Sequence, residues 1–99
     1  MFDSKKIMDM IKKASKAQNS INSKLKNIEV EGFAGGDMVH VYMNAQFEVL
    51  KINIDPILLN KNEIKFLEDL LIAAINNALV KAKEASASKM KLLASELNL

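Results

Sequence analysis

Chemistry in this 99-residue chain rests on lysine. All fourteen basic side chains are lysines, arginine and cysteine are missing, and His40 is the only histidine. Without thiols there is no disulfide, no cysteine nucleophile and none of the common cysteine-built zinc or iron–sulfur sites. A single imidazole, with no Gly-x-Ser-x-Gly turn, cannot assemble the usual hydrolytic triads or a histidine-based metal site within one chain. No catalytic residue, cofactor or metal ligand is therefore assigned, and no small-molecule substrate is expected. Asp55, a lone aspartate before Pro56, reads as a helix cap rather than as an acid catalyst.

A lysine ammonium is a flexible point charge, suited to phosphates and unable to make the bidentate guanidinium contact that reads guanine. The lysines are unevenly placed. Residues 1–27 hold seven of them against Asp3 and Asp9, a net charge of +5, whereas residues 28–60 are net −4 and residues 61–99 net +1. With helical periodicity, Lys5, Lys6, Lys12, Lys13, Lys16 and Lys24 lie away from an apolar stripe of Ile7, Ile11, Ala14, Ile21 and Leu25. Such a face is either a polyanion-binding ridge or an ordinary solvated surface. An anionic membrane suits it less, because Ala14 and Gln18 occupy the middle of the stripe. The charges within residues 1–14 leave no apolar core for a signal peptide, and the apolar run Leu70 to Val80 is too short to span a bilayer.

The elements that must carry these lysines are legible from period and punctuation. Residues 3–27 lack Gly and Pro and predict a helix capped by Asp3 or Ser4. The period then changes. Strands are expected at about 28–33, 38–45 and 47–54, with Gly35-Gly36-Asp37 as the first turn and Asn44-Ala45 as the second, forming an antiparallel meander. Asp55-Pro56 opens a short helical turn at 56–59. Asn60-x-x-Glu63 then reads as a capping box, with Leu59 and Ile64 as its hydrophobic staple, and starts a long helix at about 61–97. The second half of that helix carries only a thin stripe of Ala78, Ala82, Ala85 and Leu92. The six methionines read as core filling, with Met8 and Met10 at an interface.

The fold class is thus α+β, α-β-β-β-α, in a single domain over residues 1–99. A helix over 63–96 would be about 50 Å long, against a radius of gyration of about 13 Å for a compact chain of this size. Its second half must project, and shielding it calls for a homodimer.

The Gly-x-x-Gly-Gly turn, Val39-x-Val41-x-Met43-Asn44, and Glu48-Val49-x-x-Ile52-x-Ile54-Asp55-Pro56-x-Leu58-Leu59 together resemble the YbaB/EbfC family of bacterial nucleoid-associated proteins. Glu68-Asp69-Leu70 and Ala73-Ala74-Ile75-Asn76-Asn77-Ala78 extend the likeness over nearly the whole chain. The resemblance implies a tweezer-like homodimer with two long projecting helices, cytoplasmic and nucleoid-associated, that contacts duplex DNA and organises the nucleoid, with a further role in gene regulation. Carried over to this sequence, the DNA surface comprises Lys12, Lys13 and Lys16 on the first helix and Lys81, Lys83, Lys89 and Lys91 on the last. The sequence departs from the family at Ala45, where glycine is usual. The competing expectation is a helical protein-interaction module or adaptor whose arms bind a protein partner.

Overall fold

The structure, a computed structural model, describes residues 3–96. Helix α1 (Ser4–Lys26) leads into strands β1 (Glu29–Ala34), β2 (Val39–Asn44) and β3 (Val49–Ile54). Two short 3-10 turns, Pro56–Leu58 and Lys61–Glu63, precede helix α2 (Ile64–Glu96). Leu97, placed at the end of the long helix by the sequence reading, lies outside the described residues. The strands form one antiparallel sheet in the order β1-β2-β3. The molecule is long, 70 × 25 × 17 Å, with a radius of gyration of 19.7 Å.

Local chemistry accounts for most of the boundaries. The Asp3 carboxylate accepts from the Lys5 amide at 3.1 Å and caps α1. Asp55 accepts from the Ile57 amide at 3.0 Å, with Pro56 at the first helical position. The Asn60 side chain accepts from the Asn62 amide at 3.1 Å, so the long helix begins with a tight 3-10 turn before α2 proper. The expected staple forms only as a surface feature. Leu59 and Ile64 line one notch with Leu58 and Leu67, yet both remain exposed.

The core is the layer between β1–β2 and α2. Val39, Val41 and Met43 are buried against Ala74, Ala78 and Ala82, small residues four apart that let the helix lie close to the sheet. Closest is Gly32, where a β-carbon would collide with the Ala74 carbonyl oxygen and the Ala78 amide. Further along α2 the buried leucine is Leu93, and the expected Leu92 is exposed. Leu93 sits with Ala17, Ser20 and Ile21 where α1 and α2 meet.

The second hairpin corrects the expected strand bounds. Gln46 and Phe47 belong to the turn and β3 starts at Val49, because the left-handed residue is Phe47, at φ 67°. Ala45 therefore has no need of glycine's freedom; it is buried, and its amide approaches the Leu25 and Ile28 carbonyl oxygens at 3.2 and 3.0 Å. Asn44, fully buried, organises the turn. Its side-chain oxygen accepts from the Gln46 and Glu48 amides at 2.9 and 3.1 Å, and its amide nitrogen donates to the Glu48 carboxylate at 2.8 Å.

Candidate nucleic-acid interface

Helix α1 has no buried residue. Ile21, Leu25 and the following Ile28 are half-buried toward the body, while Ile7 and Ile11 are exposed, so the first half of the helix projects as an arm beyond its contact with Leu93. Lys12, Lys13 and Lys16 are all exposed on that arm. At about 100° per residue, Lys12 lies opposite Ile21, and Lys16 lies near Lys12. Lys5 and Lys6, also exposed, continue the positive charge to the arm's tip. The charge run of residues 1–27 already contained that signal.

The four lysines of α2 separate into different environments. Lys83 and Lys91 are exposed, and the helical period turns both away from the buried Ala78–Ala82 ridge. Lys89 is half-buried on the side of that ridge. Lys81 is drawn to the sheet. Its ammonium donates to the Glu31 carbonyl oxygen at 2.7 Å and lies 5.1 Å from the centre of the Phe33 ring. One turn earlier, the Asn77 side-chain oxygen accepts from the Phe33 amide at 3.1 Å. Asn77 and Lys81, four residues apart on one helix face, thus close polar groups at the free edge of β1. The structure brings Lys81 onto the body, apart from the lysines of the α1 arm.

The sheet face away from α2 carries a column of rings. Phe33 and His40 are paired across β1 and β2 with ring centres 4.1 Å apart, and Tyr42 stacks on His40 at 4.3 Å. Lys81 stands over the Phe33 end and Lys51 over the Tyr42 end, the latter at 5.7 Å. His40 Nε2 lies 3.5 Å from the Glu31 carboxylate but has no hydrogen-bond partner among the described residues. The rings present their faces to one another and to the two ammonium groups, so they form packing rather than an open platform for bases. Glu29 and Glu31 flank the column, so two carboxylates and two ammonium groups share this face. Among the described residues no group of three acidic, histidine or cysteine side chains is placed to hold a metal ion, and no helix is long and apolar enough to cross a membrane.

The arrangement is therefore a projecting helix bearing positive charge on a body whose segment 28–60 is net −4. The model of the YbaB/EbfC DNA-binding family matches residues 1–97. A protein of Dictyoglomus thermophilum named a nucleoid-associated protein is 46% identical over 92 residues, covering 93% of this chain and 88% of that one. One of the same name from Rhodopseudomonas palustris is 44% identical over 95 residues, covering 93% of this chain and 90% of its own. A crystal structure of an uncharacterized Helicobacter pylori protein shares the fold, with a TM-score of 0.69 over the full length of both chains at 22% identity.

Proposed function

The chain belongs to the YbaB/EbfC DNA-binding family, and from that membership we propose that it is a non-enzymatic nucleoid-associated protein that binds duplex DNA as a homodimer through its lysine-bearing helices. The observation that carries the reading is the α1 arm, on which Lys12, Lys13 and Lys16 are all exposed beyond the acidic sheet body. Lysines that neutralise phosphates release condensed counterions, so recognition is driven by salt-dependent electrostatics and depends little on base sequence. Lys83 and Lys91, exposed on α2, extend the surface, and a two-fold partner presents each cluster twice. The result is a protein that coats or bridges DNA in the nucleoid and affects transcription through occupancy.

Titrating random-sequence duplex at several salt concentrations tests this reading. Affinity should fall with a log–log slope of about −0.9 per phosphate neutralised, and Lys12→Ala/Lys13→Ala/Lys16→Ala should flatten the slope by at least about one unit. Equal slopes for the two proteins would remove the arm from the interface. One observation favours the second reading, a protein-binding arm: Ile7, Met10, Ile11 and Ala14 line an uncharged notch on α1. Failure to bind duplex even at low salt would select it.

A further inference from the structure

Helix α1 meets α2 over only part of its length. Lys81 of α2 reaches the Glu31 carbonyl oxygen, in the strand that follows α1, whereas Leu93 lies with Ala17, Ser20 and Ile21. The two helices therefore run antiparallel, with α2 heading toward the tip of the arm. Where they meet, the buried Leu93 sits beside Ile21 of the apolar stripe, and Glu96 lines the same crevice as Lys24. Nearer the tip the stripe continues through Ile7, Met10, Ile11 and Ala14, which line one uncharged notch. All four are exposed, Met10 to 68%. The surface that α2 uses thus extends beyond the part it occupies.

Both features of the occupied part recur in the open part. At about 100° per residue, Ile7 falls on the same line along α1 as Leu25, about five turns away, and Lys6 falls on the line of Lys24, with Lys13 within about 20° of it. The notch consequently has a lysine border on one side, while Ser4, Ser15 and Met8 border the other. We infer that this upper half of α1 is the docking seat for an amphipathic helix of a partner protein, whose apolar seam is flanked by carboxylates and which lies along α1 in the line of α2. Ile7, Met10, Ile11 and Ala14 have the i, i+3, i+4, i+7 spacing by which one helix takes another. Helix α2 supplies the partner's pattern in miniature, with Leu93 in the stripe and Glu96 one turn on beside Lys24. A second copy of the arm is a poor occupant, because residues 1–27 carry a net +5 and would meet the same charge. Nucleic acid is a poor occupant too, since the four notch side chains offer a phosphate neither donor nor cation. The seat is independent of the DNA reading: Lys12 and Lys16 lie on the far side of α1, so duplex and helix can be held at once, with Lys13 between the two sides.

The probe is a labelled helical peptide with leucines at i, i+3, i+4 and i+7 and glutamates on both sides of them, titrated with the intact protein by fluorescence anisotropy. It should bind at least about tenfold more tightly than a peptide with lysines in place of the glutamates, or one of the same composition with the leucines scattered round the helix. Ile7→Ala/Ile11→Ala keeps good helix formers in the arm, and should weaken that binding about tenfold while leaving duplex affinity within about twofold. Lys12→Ala/Lys16→Ala should do the reverse. Equal binding of the three peptides, or of the parent and Ile7→Ala/Ile11→Ala, overturns the seat. The chain has no cysteine, so an introduced thiol reports whether the notch is open. An Ile11→Cys thiol should react with a maleimide in the free protein and be protected by the acidic peptide. Protection without peptide means that the protein fills the notch itself, from the same chain or a second copy, and overturns the partner helix.

Discussion

The Lys81 ammonium donates to the Glu31 backbone carbonyl oxygen at 2.7 Å, tying the middle of α2 to the outer edge of β1. This bond changes what Lys81 is for. A charge held by the fold and placed over Phe33 reaches DNA less readily than one on a solvated helix face. Lys81→Ala should therefore lower stability by about 1 kcal/mol, the ordinary worth of such a hydrogen bond, and alter the salt dependence of DNA binding less than Lys83→Ala does. Urea unfolding and duplex titration of both variants check the pair of outcomes.

Lys51 provides the control for the arm. It lies on the sheet body beside Tyr42, away from the α1 arm, so Lys51→Ala should leave DNA affinity within about twofold of the parent, where the triple substitution on α1 costs tenfold or more at low salt. Greater damage from Lys51→Ala would place the DNA on the sheet.

Gly32 should be the least replaceable glycine. A β-carbon there meets helix backbone at Ala74 and Ala78, which cannot move aside as a flexible side chain would. Gly32→Ala should cost more than about 3 kcal/mol by analogy with other overpacked cores. At Gly36 the space is open and only the φ of 68° is unfavourable, so Gly36→Ala should cost about 1 kcal/mol. Denaturant midpoints of the two variants give the comparison.

Asn44 should behave as a buried polar hub. Asn44→Ala leaves the Gln46 and Glu48 amides without their shared acceptor, and should destabilise by about 2–4 kcal/mol. Hydrogen exchange should show early opening of the second hairpin, with the β1–β2 turn keeping its protection.

Leu93 and Leu92 separate the arm's support from its surface. Leu93→Ala should cost about 2 kcal/mol and loosen the junction with Ala17 and Ile21. Leu92→Ala, at an exposed position, should stay within about 0.5 kcal/mol of the parent. Thermal unfolding of each variant measures the difference.

What the sequence by itself determined was mostly what near neighbours govern. Asp3, Asp55-Pro56 and Asn60 cap or open their helical segments through bonds two residues long, and the Gly35-Gly36 turn needs only glycine's access to positive φ. The period change after Ile28 was enough to place three strands between two helices, and the charge run of residues 1–27 marked α1 as the basic helix. Tertiary structure alone decided the choices between chemically similar neighbours. Leu93 rather than Leu92 is buried because the path of α2 across the sheet fixes its rotation where α1 crosses it. The left-handed residue of the second hairpin is Phe47 and not Ala45, which is held under the end of α1 by the Leu25 and Ile28 carbonyl groups. Lys81 faces Glu31 while Lys83 faces solvent, since two residues on a helix differ by about 200° and only the docked sheet says which direction is occupied. Composition and period specify which surfaces are apolar or charged; burial also depends on what arrives from distant parts of the chain, and that depends on packing.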